Sequence, residues 1–189
     1  MEYIICRVCG YIETADKIDS VCPACGYPKT VWMEYKARKL SENRKALLDL
    51  HIHPIAVHFP ITATAAVAGL PVLAFLVPFG LAERLYDMTT MITWILPLLV
   101  VLGAITGIVG GKLRYKTYTA PVLKLKMYLS VAYLLLSCGL AYIGFTTGVH
   151  AGNALLVIAL GGVASVLAAL LGKKGSYLFA GIHGPYVAG

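Results

Sequence analysis

Apolar residues fall along this chain in four long blocks separated by short polar stretches, after a start that has no such block. The blocks run from about Pro54 to Gly80, Thr90 to Gly111, Met127 to Thr147 and Ala154 to Gly172. Each is near the roughly 20 apolar residues that a helix needs to cross a bilayer core about 30 Å thick. The pattern predicts an all-α membrane domain over residues 51–189, a bundle of four transmembrane helices ending in a tail at the membrane interface. Pro54 suits the first turn of the first helix, whereas Pro60, Pro71 and Pro78 predict kinks or an end. Three loops are predicted between the spans: Leu81–Thr89, Lys112–Lys126 and Gly148–Asn153. Ahead of the helices, residues 1–35 form a separate small unit and residues 36–50 a basic juxtamembrane linker. Leu40, Leu47 and Leu48 of the linker fall on a weakly apolar helical face.

Composition agrees with a membrane protein: 59% of residues are hydrophobic and 13% charged, with mean hydropathy +0.77. A soluble domain of this size has no use for so much apolar surface. The net charge of +7 raises the question of nucleic acid, but its placement answers against that partner. Of the 16 Lys and Arg residues, all but Arg84 fall in residues 1–50, in the Lys112–Lys126 loop or at Lys173–Lys174. By the positive-inside rule these segments, and therefore both termini, are expected in the cytoplasm. The linker charge fits a helix lying on anionic headgroups and equally fits ordinary flanking charge. No cleavable signal peptide is expected, since two cysteines occupy the first nine residues where an apolar core would lie. No Asp or Glu follows Asp87, which argues against a pump working through buried carboxylates.

The candidate chemistry begins with four cysteines. Cys6 and Cys9 stand in C-R-V-C-G, Cys22 and Cys25 in C-P-A-C-G, with 12 residues between the pairs. Two C-x-x-C loops with this separation close a tetrahedral metal site. Gly10 and Gly26 follow the pairs, where the turn calls for positive φ. A sulfur-only site takes zinc or iron, and spacing does not choose between them. The runs Y-I-I-C-R-V-C-G-Y-I and V-C-P-A-C-G-Y-P-K-T-V-W resemble a rubredoxin-like domain of the short rubrerythrin type, a zinc-ribbon-type fold, over about residues 1–35. That resemblance implies one redox-active iron, with Tyr3, Tyr11 and Trp32 matching the small aromatic core beside the site. A structural zinc ribbon is the alternative.

Five histidines form a second constellation: His51, His53, His58, His150 and His183. His51 and His53 are placed at the cytoplasmic mouth of the first span and His58 one turn inside it. His150, in the external turn, is about 25 Å away and cannot share a ligand with them. The segments H-P-I-A-V-H-F-P and L-F-A-G-I-H-G-P-Y-V resemble those of a family of small prokaryotic four-helix membrane proteins, over roughly residues 51–189. Members of that family often carry a further histidine early in the third helix, where Lys124–Leu129 has none. His58 and His183 are the expected ligands of a b-type haem, with His53 as the alternative, or of a bound quinone. Gly103, Gly107 and Gly111 recur on one face of the second helix, which predicts close helix packing. Cys138 reads as a small packing residue.

The combined reading is an electron-transfer protein of the prokaryotic inner membrane, a component rather than an independent enzyme. It would pass electrons between a cytoplasmic iron–tetrathiolate site and a membrane haem or quinone. Expected partners are membrane lipids, a cytoplasmic redox donor or acceptor, and a larger membrane complex or a second copy of the chain. The other class is a non-redox zinc-ribbon adaptor that assembles with a larger complex.

Overall fold

The structure is a computed structural model that describes residues 3–8, 10–17, 20–23, 25–35, 41–115 and 121–180, without the side chains of 44–45, 114–115, 121–122 and 176–180. The chain divides into two compact units, one built on Met1–Ser41 and one spanning Glu42–Gly172.

The first unit is a three-stranded antiparallel sheet of order β2-β1-β3, made of β1 (Tyr3–Cys6), β2 (Ile12–Thr14) and β3 (Trp32–Tyr35). β1 lies centrally, with Ile4 opposite Glu13 on one side and Glu34 on the other. The register sets Cys6 beside Trp32 at the end of the β1–β3 pair. Single 3-10 turns at Ala15–Lys17 and Lys29–Val31 flank the sheet. Strands this short bury little on their own, so the sheet depends on what closes it at the cysteine end.

The second unit is helical, with a short α1 (Glu42–Asp49), then α2 (Ile52–Ala74), α3 (Phe79–Tyr115), α4 (Pro121–Thr146) and α5 (Ala154–Ala180). Among the described residues, helices α2 to α5 are the four long and apolar enough to cross a membrane. His51 breaks the chain between α1 and α2 in the left-handed region (φ 50°), its Nδ1 donating to the Asp49 carbonyl at 2.6 Å. The core is made of Val67, Leu96, Leu140, Val157 and Ala164, all fully buried, one or more from each long helix. Threonines do not disturb it, because their hydroxyls bond the carbonyl one turn back, as Thr64 does to Pro60 (2.7 Å) and Thr89 to Leu85 (2.7 Å).

Several predicted boundaries differ. Residues 81–89, expected as a loop, are helical, and α3 starts directly after Pro78. Ala82, Tyr86 and Thr89 turn inward at helical spacing while Glu83, Arg84 and Asp87 stay exposed, so the charges interrupt nothing. Pro60 and Pro71 lie inside α2 without ending it, and Ala74 rather than Gly80 closes the helix. The basic loop is shorter than expected, since α3 continues to Tyr115 and α4 begins at Pro121, taking Lys124 and Lys126 into helix. At the other end α5 continues past Lys173–Lys174 to Ala180, beyond the expected end at Gly172, and the rest of the expected tail lies outside the described residues.

Candidate metal centre

Two identical hexapeptide patterns, C-x-x-C-G-Y, build the two halves of the site. In the first, the Cys6 N–H donates to the Tyr11 carbonyl (2.9 Å) and the Gly10 N–H to the Cys6 carbonyl (2.9 Å). The second repeats both bonds, Cys22 N–H to Tyr27 (2.7 Å) and Gly26 N–H to Cys22 (2.8 Å). Gly10 and Gly26 both have φ of 75°, a conformation that a side chain disfavours, which explains the glycine after each pair. Local sequence therefore folds each cysteine pair into the same tight knuckle.

The knuckles bring the Sγ atoms of Cys6, Cys22 and Cys25 within 4.8 Å of one another, and Cys6 and Cys25 approach to 3.7 Å. Cys9, the fourth expected ligand, lies outside the described residues. A disulfide needs about 2.05 Å, so these sulfurs are not bonded to each other. A tetrahedron with metal–sulfur bonds of about 2.3 Å has sulfur–sulfur edges of about 3.8 Å, and the 3.7 Å separation matches it. Cys6 and Cys22 are buried and Cys25 is partly exposed. The donor set and geometry fit a tetrahedral thiolate metal site such as that of iron.

Around the sulfurs, Trp32 meets Tyr11 edge to face, with ring centroids 6.3 Å apart. The Tyr11 hydroxyl donates to Glu13 Oε2 at 2.9 Å, and the Thr14 N–H donates to Glu13 Oε1 at 3.0 Å. The Thr14 bond, then the Tyr11 bond, hold the Glu13 carboxyl below its ordinary value, while Glu13 raises the Tyr11 phenol. Tyr3, expected with these aromatics, is 41% exposed and makes no ring contact among the described residues. The Trp32 indole Nε1 is buried without a hydrogen-bond partner among the described residues.

The histidines part company on α2. His53 is half-buried, its Nδ1 3.2 Å from Thr106 Oγ1, and its ring lies where a Cβ on Gly107 would sit. The Thr106 hydroxyl donates to the Leu102 or Gly103 carbonyl (3.0 Å each), so His53 Nδ1 is the donor to Thr106. His58 is exposed, its Nδ1 donating to the Pro54 carbonyl at 2.6 Å. His150 is held within its own turn, where its Nδ1 accepts from the Gly152 N–H at 3.1 Å. His183 lies outside the described residues. Gly103 and Gly107 do face α2, through Pro60, Val57 and His53, whereas a Cβ on Gly111 would meet nothing within 4 Å among the described residues. Cys138 is exposed on α4. The Thr106 partner of His53 lies 53 residues away and left no mark in the sequence, while the Pro54–His58 bond was readable as an i, i+4 pair.

Residues 5–31, which contain all four cysteines, match the family model of the rubrerythrin rubredoxin-like domain. No curated protein and no solved structure matches the chain.

Proposed function

We propose that this chain is a membrane-anchored electron-transfer protein in which Cys6, Cys9, Cys22 and Cys25 hold one iron. The helical unit exchanges electrons with a lipid-soluble cofactor at His58. The observation that carries the reading is the cluster of cysteine sulfurs at tetrahedral spacing inside a segment similar to the rubrerythrin rubredoxin-like domain. Bound iron would supply a single-electron couple. The chain's own residues do the rest: four thiolates fix the charge around the metal, and Tyr11 and Trp32 shield one side of it.

The membrane cofactor is a quinone, or a b-type haem held by His58 and His183. Haem ligation needs a second imidazole, and His53 is a poor substitute for His183 because its ring is already engaged by Thr106 and Gly107. We place both termini on the cytoplasmic side of a prokaryotic inner membrane, where a soluble donor or acceptor reaches the metal unit. Lipids surround the helices, and a larger complex or a second copy is a further partner.

The test is one preparation of the full chain from iron-replete cells. Elemental analysis should give about one iron per chain, with a visible thiolate-to-iron absorption that dithionite bleaches. A reduced α-band lost in His58→Ala and His183→Ala would assign haem as the membrane cofactor. Zinc alone would overturn the redox reading in favour of the adaptor.

A further inference from the structure

We infer that the lipid-facing groove between α2 and α3 at His58 is a binding site for the hydroquinone headgroup of a lipid-soluble quinone. The inference deepens the electron-transfer reading and rests on it for its biological sense, but its observations are independent of the metal. The groove has a volume of about 440 Å³ and is walled by Ala63, Ala66, Ile92 and Ile95, with His58 and Thr62 as its polar groups. It exists because two alanines on α2 leave room beside two isoleucines on α3. Its size falls in the range of ring-sized ligand sites, roughly 300–1,000 Å³.

Two unfulfilled hydrogen-bonding atoms give the groove its chemistry. His58 spends Nδ1–H on the Pro54 carbonyl, a group that only accepts, so the tautomer is set. In the neutral ring Nε2 then carries a lone pair, and it has no partner among the described residues. Thr62 stands four residues further along, about 6 Å up the helix axis. The other threonines of the long helices, 64, 89, 90, 93, 106 and 146, bond a carbonyl of their own helix. Thr62, lining the groove, makes no such bond among the described residues, and its hydroxyl is available to a ligand.

A lone-pair nitrogen and a hydroxyl one turn apart, set in alkyl walls at membrane level, call for an amphiphile with a polar ring. The bare Nε2 selects among them, because it needs a donor. A hydroquinone supplies an O–H to His58 and a second oxygen to Thr62, and its tail follows the groove into lipid. A quinone has carbonyls only and leaves Nε2 unpaired, whereas a glycerol headgroup brings hydroxyl donors but no flat ring to lie between the alanines and isoleucines. A ligand that leaves a desolvated acceptor unpaired loses about tenfold in affinity.

The experiment uses the full chain loaded with zinc, so that neither redox form of the probe turns over. Decylubiquinol and decylubiquinone are titrated separately in detergent, and retained ligand is extracted and measured. The quinol should bind about tenfold more tightly than the quinone. His58→Phe should lose at least about tenfold in quinol affinity and Thr62→Val about threefold. His150→Ala, in the α4–α5 turn, should match the parent. Should the phenylalanine variant fold poorly by circular dichroism, His58→Gln, which restores an acceptor oxygen, should stay within about threefold of the parent. Absent quinol binding, equal or tighter quinone binding, unchanged affinity in His58→Phe, or displacement of the quinol by phosphatidylglycerol would each overturn the site. The same titration on iron-loaded chain separates the two claims. Quinol that binds while quinol fails to reduce the ferric chain and quinone fails to oxidise the ferrous chain removes the electron-transfer reading and leaves the site, whereas electron exchange unaffected by His58→Phe removes the site and leaves the reading.

Discussion

At the residue scale, the metal unit is governed by a few side chains whose replacement has separable effects. Cys6→Ser should remove most of the bound metal, read by elemental analysis, because a hydroxyl is a poor substitute for a buried thiolate. Trp32 carries a buried indole N–H without a partner among the described residues, and a donor left so costs about 1–3 kcal/mol in the folded state. Trp32→Phe should therefore be neutral or stabilising, whereas Trp32→Ala should cost about 3–5 kcal/mol in lost packing, both read from chemical denaturation of the metal-loaded protein. Glu13 supplies a pH dependence. Its folded carboxyl titrates below the ordinary 4.5, chiefly through the Thr14 N–H, so it stabilises the fold above that pH. The contribution is lost as pH falls through the lowered value, and Glu13→Gln should flatten that acid limb in a stability–pH profile.

At the element scale, helix contacts rest on small residues and on hydroxyls rather than on charge. Gly161 of α5 lies against the Ala68 backbone of α2, where an added Cβ would come to 3.1 Å of the Ala68 nitrogen. Backbone cannot swing aside as a side chain does, so Gly161→Val should destabilise the bundle by about 1–3 kcal/mol, seen as a lower melting temperature in detergent. Between α2 and α4, Tyr133 and Thr64 bond each other, and both reach the Pro60 carbonyl, at 3.0 Å and 2.7 Å. Tyr133→Phe leaves Thr64 bonded to that carbonyl, so its expected cost is only about 0.5–1.5 kcal/mol. Gly144 of α4 is a tighter case, because a Cβ there would overlap Thr93 Oγ1 and crowd Trp94, which stacks on Phe145 at 5.3 Å.

At the scale of the whole molecule, two units with different sources of stability share one chain. The sheet unit has three short strands and its cysteine knuckles, so metal binding supplies much of its folding energy. The helical unit has its own core across α2 to α5. Stripping the metal with a chelator should therefore unfold the first unit while the far-ultraviolet helical signal stays within about a tenth of its starting value. Lys and Arg are concentrated in residues 1–50, 112–126 and 173–174, and the proposed cytoplasmic side for both termini rests on that distribution. A reporter fused after Gly189 should accordingly be active only in its cytoplasmic form, and one inserted at Gly148–Asn153 only in its external form. The reverse pattern would remove the cytoplasmic partner proposed for the metal.

The sequence by itself determined what depends on neighbours in the chain. C-x-x-C-G-Y written twice specifies two knuckles, because the turn, its glycine and its backbone bonds lie within six residues. Block length likewise determined four helices able to cross a membrane, since apolar length is a local quantity. Even there the ends were misjudged: charges at 83, 84 and 87 looked like a loop until their helical spacing could be set against a packed face. Helices that are apolar nearly all round carry little record of which face meets a neighbour. Tertiary structure alone therefore decided that Gly107 rather than Gly111 receives a histidine, and that this histidine is His53. It also decided that Thr106 engages His53, and that His58 and Thr62 line one open groove. Those choices are contacts between residues far apart in the chain, fixed only when the helices close against one another.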